Sequence, residues 1–293
     1  MTILQSQPLA VPFPSPGRLD ACPAPAKINL FLHVTGRRAD GYHLLQTAFR
    51  LLDWGDTLDF AVRGDGLIRR VNDIPGVAEE ADLAVRAARR LQQVSACGLG
   101  VDIAVHKRLP MGGGLGGGSS DAATTLMALD RLWGTGFGQA RLREIALGLG
   151  ADVPFFIYGR DAFAEGIGES LQPLDLPPAH YVIVDPAVSV PTAEIFSSPE
   201  LTRNTPPVKV RGLTLSRTCN DLQPVACARY PEVGEAISWL GRFAPARMTG
   251  SGACVFAMAA SVAHAEEIVA RCPARWRAWQ AASLARHPMH TAA

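Results

Sequence analysis

Residues 109–123 read Leu-Pro-Met-Gly-Gly-Gly-Leu-Gly-Gly-Gly-Ser-Ser-Asp-Ala-Ala, six glycines set between a strand-like run and a helix-like run. Upstream, Val101, Ile103 and Val105 alternate with Asp102, Ala104 and His106, the period-2 pattern of a half-buried strand. Downstream, Ala122, Leu126, Leu129 and Trp133 keep helical spacing, Gly134 offers a stop, and Ser119 or Ser120 is placed to cap the start. A loop without side chains that runs into a helix presents several backbone N–H groups at the positive end of the helix dipole. That setting suits a phosphate chain. A flexible linker is the weaker reading, because linkers are rarely embedded between Leu-Pro-Met and an apolar helix. A Walker A loop is excluded, since Gly118 is followed by Ser119, Ser120 and Asp121 with no lysine. A dinucleotide fingerprint would open the first βα unit, whereas this loop lies a third of the way along the chain and leads into a second helix.

A chain of 293 residues suits one large or two medium domains. With 48% hydrophobic and 19% charged residues its composition is that of a folded soluble protein. The net charge of +1, without long charged blocks, makes neither nucleic acid nor an anionic membrane the expected partner. Cys22, Cys97, Cys219, Cys227, Cys254 and Cys272 are scattered without a C-x-x-C pair, which points to reduced thiols rather than a disulfide frame or zinc site. No apolar run approaches a membrane span, and the N-terminus lacks a basic region followed by an apolar core, so a cytoplasmic location is expected.

Residues 1–22, with Pro12, Pro14 and Pro16 and no periodicity, read as a poorly ordered extension. From Ala26 onward, Ile28, Leu30, Leu32 and Val34 alternate with Lys27, Asn29, Phe31 and His33, so a strand puts Lys27 and Asn29 on one face. The lysine is either a solvated edge residue or one half of a site. Arg37 to His43 is a polar loop with an Asp-Gly turn signal, in which Tyr42 and His43 are ordinary loop residues or a pair for a flat ring. Strands are expected at 44–52, 57–62 and 67–71, with turns at Asp53-Trp54-Gly55-Asp56 and Gly64-Asp65-Gly66, and a helix starts at Leu83. A helix from Gln139 to Leu149 leads to Asp152, which can cap a short apolar helix and is also a candidate general base.

Phe163 to Leu171 reads as a closing strand and Tyr181 to Val184 as a short buried one. Thr192 is placed to cap a helix holding Ile195 and Phe196, and residues 197–218 form a surface excursion. Val233 to Phe243 is helical. Met248 to Phe256 is a second small-residue turn that either brings Thr249 and Ser251 to the same phosphates or is only a tight turn. A helix at Val262 to Ala270 and a tail complete the chain.

Three blocks together resemble the GHMP small-molecule kinases: Pro25-Ala26-Lys27-Ile28-Asn29-Leu30, Pro110 to Ala123, and Thr249 to Phe256. Further blocks point to one branch of that family: Arg38-Ala39-Asp40-Gly41-Tyr42-His43, Gly150 to Phe156, Phe163 to Glu169, Arg203-Asn204-Thr205-Pro206 and Asn220-Asp221-Leu222. The resemblance spans residues 23 to 285 and implies an α/β (α+β) fold in two parts. A ribosomal-S5-like ATP-binding domain would occupy residues 23–170, and a ferredoxin-like substrate domain residues 171–286. The implied reaction is phosphoryl transfer from ATP, with Mg2+, to a hydroxyl of a small alcohol bearing a cytidyl diphosphate. A monomer or weak homodimer is implied too.

By position, the resemblance makes Lys27 and Asp152 the catalytic pair. Pro110, Met111, Gly112, Gly113, Gly114, Leu115, Gly116, Gly117, Gly118, Ser119 and Ser120 would wrap the ATP phosphates, with Lys107 near the nucleoside and Ser120 near magnesium. Asn29 and Thr192 would contact the substrate, Tyr42 and Phe196 would sandwich the cytosine, and His43 would hydrogen-bond it. Phosphoryl transfer depends on positioning and charge stabilisation. A carboxylate is too weak a base to ionise an alcohol outright, so Asp152 is expected to orient the hydroxyl and take its proton only as the O–P bond forms. Two positions depart from the branch pattern. Ala81-Asp82-Leu83 stands where Asp-Asn-Leu is usual, and His33 where tyrosine is common. Other members of the family share the glycine loop but do not need the Asp-Gly-Tyr-His block or Phe196. A regulatory nucleotide-binding protein without catalysis would have no use for both Lys27 and Asp152.

Overall fold

The computed structural model describes residues 14–15, 17–211 and 213–290. Its first sheet has seven strands: β1 (Pro14–Ser15), β2 (Arg18–Arg37), β3 (His43–Arg63), β4 (Ile68–Arg70), β5 (Gly100–His106), β6 (Ala162–Glu165) and β7 (Ser170–Pro173). The long antiparallel hairpin β2–β3 is its spine. The other edge of β3 pairs with β6 near Thr47–Phe49 and with β5 near Thr57–Arg63, while β4 runs parallel to β5. Helices α1 (Leu83–Ser95), α2 (Gly117–Leu132), α3 (Gly138–Leu147) and α4 (Val153–Tyr158) enclose one hydrophobic core with this sheet.

The second sheet, in the order β11-β8-β10-β9, comprises β8 (His180–Asp185), β9 (Ala246–Met248), β10 (Val255–Ala259) and β11 (Arg277–Ala282), all antiparallel. Helices α5 (Thr192–Ser197), α6 (Gln223–Arg229), α7 (Pro231–Leu240) and α8 (Val262–Ala270) belong to this half. Strand alternation divides the labour of its faces. Val182, Val184, Val255 and Ala257 pack into a core with the helices. Tyr181, Ile183, Phe256 and Trp279 turn to the other side and meet Ile28, Phe31 and Trp54 of the first half in a third core. The indoles of Trp54 and Trp279 stack there with centroids 4.6 Å apart. Strand β2 feeds all three cores in succession, through Cys22 and Ala24, then Ile28 and Phe31, then Leu32 and Val34.

Several local expectations change. Residues 18–22, expected within an unordered extension, begin β2, with Leu19 and Cys22 buried; residues 1–13 and 16 lie outside the described residues. The expected turn at Asp53–Asp56 is instead continuous strand. Its polar side chains answer to neighbouring backbone rather than to a turn: Asp53 accepts from Ala282 N–H, and Asp56 from Arg108 and Leu109 N–H. Gly55 lets β2 close in, since a Cβ there would lie 2.1 Å from the Ala24 carbonyl oxygen. Phe163–Leu171 is a hairpin of two strands, broken where Gly166 adopts φ +74°. The segment read as a tail contributes edge strand β11. The excursion 197–218 is anchored at Val208, whose backbone N–H and carbonyl both bond Gln46. Among the described residues no helix is long and apolar enough to cross a membrane.

Candidate active site

A cleft of about 1150 Å³ runs between the two halves, from the start of α1 past the glycine loop to the loop joining β2 and β3. Lys27 stands at its middle. Its side chain is held in place by β2, which also carries Asn29 two residues on and hence on the same face. Lys27 Nζ donates to Asn29 Oδ1 at 2.6 Å and lies 3.3 Å from Asp152 Oδ2. Lys27 is 3% exposed while the Asp152 side chain is 33% exposed. The pair therefore has one member fixed in the wall and one open to the cleft.

The lysine's surroundings keep it still. Asn29 Nδ2 donates to Thr47 Oγ1 at 2.9 Å, and Thr47 Oγ1 donates to the Phe31 carbonyl at 2.5 Å. Thr249 Oγ1 accepts from Asn29 N–H at 2.9 Å. Asn29, Thr47 and Thr249 are all buried, so these bonds are shielded from competing water. The ammonium also sits 5.4 Å from the centre of the Phe49 ring, within cation–π range.

The glycine loop is threaded through this network. Leu115 carbonyl accepts from Lys27 N–H at 3.0 Å, and on its other side Gly112 and Gly113 carbonyls accept from Ala253 and Cys254 N–H. Gly114 has φ +74°, and a Cβ on it would lie 2.2 Å from Thr249 O. Gly116, at φ +73°, leaves no room for a Cβ against Phe156. Helix α2 starts at Gly117 with Gly116 as its N-cap, so neither Ser119 nor Ser120 caps it, contrary to the sequence reading. The cap carries no side chain and its first N–H groups are left for a ligand. Pro110 to Ser119 line the cleft, whereas Ser120 is wholly buried and its Oγ has no hydrogen-bond partner among the described residues.

Asp152 does occupy the N-cap position of α4, but its side chain makes no cap bond and is left to face Lys27. Thr192 is the first residue of α5 rather than its cap, and its hydroxyl pairs with Ser251 Oγ at 2.7 Å. The turn 248–254 is a tight turn that sets only one of its two candidate hydroxyl residues, Ser251, on the cleft, and Thr249 lies buried behind it. Buried Thr249 braces Asn29 and the loop, while Gly250 and Ser251 line the cleft.

Lys107 lines the cleft and is gripped from behind by Asp56 Oδ2 and, at 2.8 Å, by Asp121 Oδ2. Burial disfavours its charge, but Asp121 and Asp56 outweigh that and hold its proton more tightly than usual. Burial and the neighbouring Asp56 push the Asp121 carboxyl above the usual carboxylate range, while Lys107 draws it back down. Asp82 caps α1 through Ala84 N–H at 2.8 Å and pairs with Arg70 at 2.9 Å, so the departure from asparagine is matched by an arginine. His33 packs edge-on to Phe31 and accepts from Cys219 N–H at 3.3 Å, away from the cleft.

At the other end, His43 and Phe196 face one another with centroids 5.0 Å apart, and Tyr42 is 62% exposed on the preceding turn. Burial, with the charges of Arg203 and Arg37, lowers the proton affinity of His43, so the ring is neutral at pH 7. The structure thus brings together Lys27, Asn29, the glycine loop and Asp152, and sets Tyr42, His43, Thr192 and Phe196 along the same cleft. Sequence reading missed Thr47, Phe49, Asp56, Asp121 and the bracing role of Thr249. Asp121 follows Ser119-Ser120 directly and was open to notice, whereas Thr47 and Phe49 become visible only through the β2–β3 register.

Residues 82–160 match the GHMP kinases N terminal domain and residues 211–278 the GHMP kinases C terminal domain. A 4-diphosphocytidyl-2-C-methyl-D-erythritol kinase of Azoarcus sp. (strain BH72) is 69% identical over 274 residues, 94% of this chain and 97% of the relative. One of the same name from Aromatoleum aromaticum is 67% identical over 93% and 96% of the two chains. A crystal structure of 4-(cytidine 5'-diphospho)-2C-methyl-D-erythritol kinase is 36% identical and superposes with a TM-score of 0.76, covering 89% of this chain and 98% of the other.

Proposed function

The chain belongs to the GHMP kinases, in the 4-diphosphocytidyl-2-C-methyl-D-erythritol kinase branch, and on that premise we propose how its residues divide the work. The enzyme is a kinase of isoprenoid biosynthesis that transfers a phosphoryl group from ATP to an alcohol, the 2-hydroxyl of 4-diphosphocytidyl-2-C-methyl-D-erythritol. The observation that carries the assignment of roles is the 3.3 Å approach of Lys27 Nζ to Asp152 Oδ2 beside the glycine loop. A distance of a dozen ångströms would have left no shared reaction centre.

In this reading the loop 110–119 and the first turn of α2 hold the triphosphate through backbone N–H groups. Asp152, the exposed member of the pair, accepts the substrate hydroxyl proton as the new O–P bond forms. Lys27 keeps Asp152 oriented and offsets charge on the transferring group, while Asn29, fixed by Thr47 and Thr249, keeps Lys27 from swinging away. Tyr42 and Phe196 stack on the cytosine, His43 hydrogen-bonds it, and Thr192 lies along the way to the reacting end. Lys107, pinned by Asp56 and Asp121, contributes charge near the nucleotide.

Magnesium fits as a nucleotide-borne ion. Among the described residues, Ser120 Oγ and Asp121 Oδ1 in the first turns of α2 are buried without a hydrogen-bond partner, and these are the oxygens the chain would offer such an ion. When bound with the nucleotide, such an ion would supply charge neutralisation for the transferring group. The enzyme acts on small molecules in the cytoplasm.

An ADP-coupled assay with the cytidyl-diphospho alcohol, mevalonate and homoserine tests the reading. Turnover with the cytidyl compound alone is expected. Preference for either smaller alcohol would overturn the substrate, and ATP binding without substrate-dependent ADP release would favour a regulatory protein.

A further inference from the structure

The block Arg203-Asn204-Thr205-Pro206 has no place in the chemistry above, yet Arg203 touches both walls of the aromatic end. Its Nε–H donates to His43 Nε2 at 3.1 Å. Its remaining nitrogens donate to the carbonyls of Leu201 at 3.0 Å, Phe196 at 3.1 Å and Ser198 at 2.6 Å. Among the described residues the hydrogen bonds of the Arg203 guanidinium run to these three carbonyls and the imidazole. Its charge is spent on three carbonyls and one imidazole, an arrangement that fixes the planar fork in a single orientation.

The consequence for His43 follows from proton counting. A guanidinium has only donors, so the Nε2 it bonds must present a lone pair, and in the neutral ring the hydrogen then sits on Nδ1. Nδ1 is left as an N–H donor. Such a donor meets a lone pair at N3 of cytosine and an opposing N–H at N3 of uracil. A site built around a specified donor rejects the mismatched partner far more strongly than an apolar pocket does.

Resting on the cytosine reading given above, we propose that Arg203 is a positioning residue for base selection: it holds His43 in the Nδ1–H tautomer and ties that ring to the Phe196 wall. It does not touch the reacting phosphate. Its loss should therefore alter which base is accepted more than how fast phosphoryl transfer proceeds.

Two measurements test this. In the free wild-type enzyme, nitrogen-15 NMR of His43, assigned by its absence in His43→Gln, should show protonated Nδ1 and bare Nε2 at pH 7.5. In Arg203→Met that signature should be lost. In kinetics, Arg203→Met should raise KM for the cytidyl substrate roughly 10-fold, leave KM for ATP near its wild-type value, and reduce kcat less than it raises KM. The kcat/KM ratio for cytidyl over uridyl substrate should fall by about the same factor of 10. An Nε2–H tautomer in the wild-type enzyme, or an unchanged base preference in Arg203→Met, would overturn the proposal. The wild-type spectrum decides even where the variant does not fold. A wild-type enzyme indifferent to the base would sink the cytosine reading and the selection role together, and is told apart by an intact Nδ1–H signature.

Discussion

At the glycine-loop end of the cleft, Lys27, Asn29, Thr47 and Thr249 are buried and bonded to one another. At the aromatic end, Tyr42 stands in solvent on the turn between β2 and β3, and His43 is only half-buried. In the proposed division of roles the two ends carry different tasks. Phosphoryl transfer gains from groups that need no rearrangement when charge develops, which favours a buried, over-determined setting. Base recognition draws on stacking, which tolerates some freedom of the ring and can be completed as the ligand arrives. One cleft thus has a buried, densely bonded end, proposed for the reaction, and a more open end, proposed for recognition.

Substitutions should respond accordingly. The largest effect is expected for Asp152→Asn, which keeps shape but removes the proton acceptor: kcat should drop by about 10²- to 10⁴-fold with KM for ATP nearly unchanged. Near-normal turnover in steady-state assays would remove Asp152 from the chemistry. Next comes Gly114→Ala, which forces a Cβ toward Thr249 O at φ +74°. It should cost about 2 kcal/mol or more of stability, read by chemical denaturation, and weaken ATP binding. A silent Gly114→Ala would show that the loop end is less rigid than its contacts imply.

Tyr42→Ala should raise KM for the cytidyl substrate about 10-fold, from the 1–3 kcal/mol of a lost stacking partner, while thermal stability hardly moves. Equal effects on KM for ATP would contradict the division between the ends. The smallest effect is that of acid on His43. Its folded proton affinity lies below the ordinary value near 6.5, so below that pH the unfolded chain takes the proton first and acid costs stability. Protonation would also set an N–H at Nε2 against the Arg203 donor. KM for the cytidyl substrate should stay level from pH 8 to about 6.5 and rise below it. Tighter binding in acid would show that the charged ring is the working form.

The contrast also explains what could be read from sequence. The loop end announced itself, because a run of glycines before an apolar helix has few other uses, and Lys27 and Asn29 fell on one strand face by simple alternation. Two bracing residues were silent, since Thr47 and Phe49 matter only through a register set by 20- and 21-residue strands with bulges, and Thr249 was noticed without its partner Asn29, 220 positions away. Asp53 and Asp56 misled for a related reason. Turn-like residues were stabilised in a strand by distant backbone partners, Ala282 and Leu109 among them. Arg203 could be quoted as part of a motif, but its partner His43 is 160 positions away.

Strand β2 gives Cys22 and Ala24 to one core and Leu32 and Val34 to another, and Leu32 bonds backbone to backbone with Cys219 and Asp221. Cutting the gene near residue 175 to express either part alone would therefore strand hydrophobic surface on both fragments, and each product should be insoluble. Mixing the two fragments should restore a folded complex, because the missing strand is the interface. A fusion that swaps one half for that of a distant relative would need to carry this strand's far end along with the half it completes.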